Sequence, residues 1–250
     1  MSLAIGIGGG NPTSGGGGDT LNDPSSFADA IALYKSDAGI TLVSTQVDAW
    51  ADQSGNGYDA SAVTSGNRVE QVPNDGAYDF KDLLWRGNSQ FKNTSFKATG
   101  YTELTVDFAL RPTDQGNWFA IGRPTDTNAC FYLFFAATNI LIYTKNGGSL
   151  VYHYYAHGGL QKTCLCTITY DGSLSGTGRT SLYIDGVSVA LGGNSGVFPA
   201  SINAPTTAEF NIPTWSGTSK GILGYVGIWD RALTGDEIAA NQTWKENIWS

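Results

Sequence analysis

Residues 50–60 read WADQSGNGYDA. Asp52, Ser54 and Asn56 put oxygen side chains at the first, third and fifth places of a loop, and Gly57 fills the sixth. An EF-hand calcium loop opens in the same way. Two tests set that reading aside. The twelfth place, where an EF-hand needs a bidentate glutamate, is Val63, which has no oxygen to offer. The flanks DAGITLVSTQVDAW and SAVTSGNRVEQV are rich in β-branched residues and show no helical period, whereas an EF-hand loop joins two helices. What remains is a tight turn of residues that enter left-handed backbone or bond their own main chain. Calcium held by Asp52, Ser54, Asn56 and Asp59 is the second reading of the loop, and no motif calls for another cofactor.

Outward from that loop the chain reads as strands separated by turns. ELTVDFALR (103–111), NWFAIG (117–122), ACFYLFFA (129–136), NILIYT (139–144) and SLVYHYY (149–155) come first. KTCLCTITY (162–170), TSLYIDG (180–186), VSVAL (187–191), AEFNI (208–212) and ILGYVGIWD (222–230) follow. Asp185-Gly186 is the clearest hairpin turn. One helix is evident near the end: Thr234 to Glu237 forms a capping box, and Ala240, Trp244 and Ile248 fall four apart on one face. Many strands and one late helix predict an all-β fold, an antiparallel two-sheet sandwich over residues 25–250 with a short C-terminal helix.

Residues 1–24 differ. Leu3, Ile5 and Ile7 alternate and then give way to a glycine-rich tether. Such a segment orders only when tied to something, so it is read as an anchoring arm that docks on another subunit. A homo-oligomer or multi-copy assembly is the corresponding expectation. The net charge is −8 and lysine and arginine are scattered, which argues against nucleic acid or an anionic membrane as partner. MSLAIGIGGG lacks the basic and apolar regions of a signal peptide. Cys130, Cys164 and Cys166 are expected to be buried free thiols.

At this point the chain resembles a known group. Trp50, Asp52, Ser54, Gly55, Asn56 and Ala60 match a W-x-D-x-S-G-N-x-x-x-A signature of laminin G-like and concanavalin A-like lectin and glucanase domains. Tyr183 to Gly186 resembles their Y-x-D-G hairpin. Gly227, Ile228, Trp229, Arg231, Leu233, Thr234 and Glu237 resemble their closing strand and helix. The resemblance implies a jelly roll with a concave and a convex sheet. It also raises glucanase chemistry, which needs paired carboxyls about 5 Å apart in retaining enzymes. The E-x-D-x-x-E strand of such enzymes is absent, and Glu103 and Asp107 read as a solvated strand face. No G-x-S-x-G elbow accompanies the two histidines. The chain is therefore read as no enzyme.

Jelly rolls of this kind stack aromatic rings on sugars. Trp118, Tyr152, His153, Tyr155, His157 and Trp215 are the glycan-binding candidates. The short apolar start before a lectin-like body also resembles bacteriophage virion proteins, capsid-decorating or tail-attached. The expectation is a structural and adhesive virion protein, made in the host cytoplasm, whose partners are other virion subunits through the arm and cell-surface glycans. The alternative is a bacterial carbohydrate-binding module or adhesin domain at the cell surface, with a glycoside hydrolase a weaker third.

Overall fold

The computed structural model describes residues 23–72, 82–86, 89–96, 99–123, 127–160, 162–212 and 219–249. The expected anchoring arm, residues 1–24 with Leu3, Ile5 and Ile7, lies outside the described residues apart from Asp23 and Pro24. The first strands are β1 (Ala32–Lys35), β2 (Ile40–Val43), β3 (Gln46–Trp50), β4 (Ala60–Ala62), β5 (Val69–Val72), β6 (Asp82–Arg86) and β7 (Phe91–Asn93). Next come β8 (Glu103–Pro112), β9 (Gly116–Ile121), β10 (Ala129–Phe135), β11 (Asn139–Asn146), β12 (Ser149–Ala156) and β13 (Cys164–Asp171). The last are β14 (Thr180–Ile184), β15 (Val187–Val189), β16 (Leu191–Asn194), β17 (Phe210–Ile212) and β18 (Lys220–Trp229), followed by helix α1 (Gly235–Trp249).

Every strand pairing among the described residues is antiparallel. One run of neighbours is β15-β14-β13-β8-β18, with β1 and β6 sharing the far edge of β18. A second run is β4-β7-β17-β9-β10-β11-β12-β16. The path β6-β5-β3-β4 joins them. The all-β antiparallel body with one helix is as composition and turns led one to expect. Two separate jelly-roll sheets are not what the hydrogen bonds show. All eighteen strands among the described residues belong to one sheet, curled until it is nearly closed, and the core lies inside the curl.

Ring contacts mark where the two runs meet. Phe108 of β8 meets Phe119 of β9 edge-on at 5.6 Å, and Tyr34 of β1 meets Phe210 of β17 at 5.4 Å. Trp50 is fully buried beside Tyr34 and donates its indole N–H to the Lys35 carbonyl at 2.8 Å. It anchors the core beside the loop. The Asp185-Gly186 hairpin forms, with φ of 50° and 73° at its two turn residues. Cys164 and Cys166 are free and buried, and the side chain of Cys130 lies outside the described residues.

Helix α1 begins as its capping box requires. The Glu237 main-chain N–H donates to the Thr234 hydroxyl, and the Glu237 carboxylate accepts the Thr234 N–H at 2.8 Å. Arg231 grips the same carboxylate at 2.6 and 2.8 Å. The guanidinium holds the Glu237 acid well down, to about 2. The buried face of the helix differs from the expected one. Trp244 and Ile248 are buried as expected, but Ala240 is exposed, and Ile238, Asn241, Gln242 and Lys245 complete the face. Three polar residues on the inward side hid its period.

That face covers Leu33, Ala109, Leu165, Tyr225 and Trp229 on the outside of the β1-β18-β8-β13 layer. The same cover accounts for Asp107, which is not on a solvated face. Asp107 and Lys245 are both fully buried and pair at 2.5 Å, and the Thr167 hydroxyl donates to the same carboxylate oxygen at 2.7 Å. Glu103 is also engaged: its carboxylate accepts the Ala232 N–H at 3.0 Å.

Candidate binding surface

The loop of residues 52–59 spends its oxygens on its own chain. Asp52 Oδ1 accepts the Leu33 and Ser54 N–H groups at 2.9 Å, and Oδ2 accepts the Ser54 hydroxyl at 2.7 Å and the Tyr58 N–H at 3.1 Å. Asp59 accepts the Asp52 N–H at 2.8 Å, and the Asn56 amide donates to the Ala30 and Ile31 carbonyls. This is an Asx-rich turn stitched to the entry of β1. Among the described residues no group of three or more His, Cys, Asp or Glu could hold a metal ion.

The aromatic candidates separate by face, because side chains alternate along a strand. On β12, His153 and Tyr155 point inward and are fully buried. The Tyr155 hydroxyl donates to the Thr180 carbonyl at 2.7 Å, and His153 bridges the Thr180 hydroxyl at 2.6 Å and the Gly196 carbonyl at 3.1 Å. Trp118 is likewise packed in the core rather than standing near a loop tip. A sugar at the surface reaches none of these three. His157 is half-buried at the end of β12, bonded to the Ala136 carbonyl at 2.9 Å and accepting the Gly159 N–H at 3.1 Å. Trp215 lies outside the described residues.

His153 carries a pH consequence. Burial lowers its pKa from the usual 6.5, while the Gly196 carbonyl acts the other way. The unfolded chain therefore binds a proton that the folded chain refuses, and stability is lost as pH falls through about 6.5. Denaturant midpoints measured from about pH 7 down to pH 5 are expected to drop more steeply in the native chain than in His153→Gln. Equal slopes would show that His153 does not carry the effect.

Tyr152 alone among the candidates lies in a built array. The β11–β12 turn is Gly147-Gly148, with φ of 57° and 85°, conformations open to glycine and strained for other residues. This two-residue turn sets Asn146 opposite Ser149 and hence Tyr143 opposite Tyr152. On the other side Tyr143 faces Tyr132 of β10. Three tyrosines thus form a row across β10, β11 and β12 on the outer face. The Tyr132 and Tyr143 rings stack at 4.5 Å and 3°, and Tyr143 and Tyr152 tilt at 5.5 Å and 53°. A parallel row holds Phe134, Leu141, Tyr154 and Gly193. Tyr154 lies across the backbone of β16, where a Cβ on Gly193 would come within 2.5 Å of its hydroxyl.

Because the rings in the first row stand against one another, they offer edges and hydroxyls more than flat faces. Burial and the neighbouring Tyr143 push the Tyr132 hydroxyl well above its usual pKa, and burial followed by Tyr152 raises Tyr143. Both stay protonated donors at neutral pH. Among the described residues the hydroxyls of Tyr132, Tyr143, Tyr152 and Tyr154 have no hydrogen-bond partner. Tyr34, Tyr155 and Tyr170 instead donate to main-chain carbonyls. None of β7, β9, β10, β11, β12, β16 or β17 contains an aspartate or glutamate.

In fold, this chain is similar to toxin receptor-binding domains. It matches the receptor-binding domain of botulinum neurotoxin type G with a TM-score of 0.60 at 13% identity, covering 87% of this chain and 51% of that one. The binding domain of Paraclostridial Mosquitocidal Protein 1 matches at 0.61 and 15%, covering 88% and 53%. The ligand binding domain of botulinum neurotoxin serotype D, solved in complex with N-acetylneuraminic acid, matches at 0.58 and 13%, covering 88% and 51%. The chain spans about half the length of these structures. No family model and no curated protein matches the sequence.

These neighbours overturn the family drawn from the three motifs. The laminin G-like and concanavalin A-like assignment does not stand, and a bacteriophage origin has no support among them. The motif residues have local duties instead. They make an Asx turn, a two-residue hairpin and a capped helix, devices open to any antiparallel sheet with a docked helix.

The sequence reading missed Tyr132, Tyr143, Tyr154 and Lys145. Its signal was available in the turns. Counting back from Gly147-Gly148 aligns Tyr143 with Tyr152, and only then does the row emerge.

Proposed function

We propose that this chain is a non-catalytic binding domain that docks on cell-surface glycans through the outer face of β10, β11 and β12. The observation that carries it is the set of four tyrosine hydroxyls on one face without partners among the described residues. Sugar hydroxyls are hydrogen-bond acceptors and donors of matching kind. The row from Tyr132 to Tyr152 crosses two strand spacings, about 10 Å, which is room for a short oligosaccharide. Structural neighbours that are receptor-binding domains support the reading, as do two solved with N-acetylneuraminic acid and with SialylT. A carbohydrate-binding module or adhesin domain would use the face in the same way.

The carboxylates support the absence of catalysis. Glu103 holds the Ala232 N–H and Asp107 is sealed under α1. Glu209 is tied to Lys92 at 2.5 Å and Arg123 at 2.8 Å, Glu237 to Arg231, and Glu246 accepts the Gln242 amide. These engagements leave none of the five as a free acid poised over a cleft.

Tyr143→Ala is the test. It removes the middle of the row, and glycan affinity measured by calorimetry or array is expected to fall at least about tenfold, about 1.4 kcal/mol, with little change in melting temperature. Binding that survives the substitution, or no binding of any glycan, would defeat the proposal.

A further inference from the structure

Lys145 stands two residues beyond Tyr143 on β11, about 7 Å along the strand and on the same outer face. It lies opposite Leu150 of β12 and Ala129 of β10. It is half-exposed, and among the described residues no ion pair or hydrogen bond engages it. The other cations of this layer are engaged: Lys92 and Arg123 both pair with Glu209. The Lys145 stem lies along the sheet while the ammonium is left to meet a counter-charge from outside the described fold. It is the more conspicuous in a chain of net charge −8, on strands that themselves lack any carboxylate.

We infer that the ligand of the tyrosine row carries an acid group, a sugar carboxylate or sulfate, and that Lys145 supplies its counter-charge. This rests on the glycan-binding reading and adds the chemical class. The row donates hydroxyls to the neutral part of the ligand. Lys145, beside the Tyr132–Tyr143 stack, meets the charged part with a charge-assisted hydrogen bond, which is stronger and more directional than a neutral one. An exposed lysine kept for solubility would sit equally well there and would show no such preference.

Lactose, sialyllactose and sulfated lactose share one neutral core, so titrating the full chain with each separates the cases. Both acidic forms, or one of them, are expected to bind roughly tenfold tighter than lactose, about 1.4 kcal/mol. The preference should vanish in Lys145→Gln and shrink in ~0.5 M salt, while the melting temperature stays put. Which acid is preferred identifies the source as carboxylate or sulfate. Equal affinity for all three, lost together in Tyr143→Ala, would overturn the acid inference and leave the glycan reading intact. An acidic preference that persists in Lys145→Gln would also overturn it. No binding of any of the three would overturn both.

Discussion

Lys245→Met is expected to cost about 3–5 kcal/mol of unfolding free energy, because it strands a buried carboxylate. Asp107 would keep the Thr167 hydroxyl but lose the one cation paired with it among the described residues. The Lys245 stem also packs between helix and sheet, in the layer of Tyr225, Trp229 and Trp244. Urea unfolding monitored by tryptophan fluorescence reads the loss directly. The double variant Lys245→Met/Asp107→Leu removes both charges and is expected to regain most of it, since a well-packed apolar pair can match a buried ion pair. A single-variant loss under about 1 kcal/mol would mean that water reaches the carboxylate and that the helix does not seal it.

Trp50→Ala is the second large effect, about 3–5 kcal/mol. The indole is fully buried against Tyr34, and its N–H holds the Lys35 carbonyl. Truncation would open a cavity at the point where β3 meets β1 and the Asx turn. Trp50→Phe keeps a ring but loses the indole bond to that carbonyl, which still accepts the Ala38 N–H at 3.1 Å, so its cost is expected to fall between wild type and alanine. Equilibrium denaturation of the three proteins checks the order. Wild-type stability in Trp50→Ala would show that the residue is no anchor.

The parts of this fold that were legible in the sequence are those set by neighbours along the chain. The Asx turn, the Asp185-Gly186 hairpin and the Thr234–Glu237 cap each need only a few adjacent residues, and each formed. Strands from β8 onward, β16 excepted, stood out as apolar runs between turns. β4 and β7 are only three residues long, too short for a period to emerge from their loops. The Asp107–Lys245 pair joins residues 138 apart, and nothing local announces it. Until it is known, Lys245 makes the inward face of α1 look polar and Asp107 makes β8 look half-exposed.

The binding surface shows a different limit. Alternation along β12 assigns Tyr152 and Tyr154 to one face and His153 and Tyr155 to the other, yet both sets are bulky and aromatic. Which set faces the core depends on the opposing layer. The strands β11 and β12 also had to be read together, through their Gly-Gly turn, before a row across strands could be recognised.

The strands bearing the tyrosine rows hold one lysine and no acids, so the chain's excess of negative charge sits on its other segments. Such a molecule is electrically polarised. In the field of a polyanionic cell coat it would rotate during diffusion until the tyrosine side leads and the acidic remainder trails. Productive encounters would then outnumber random ones, and added electrolyte would slow capture before it weakened the contact once made.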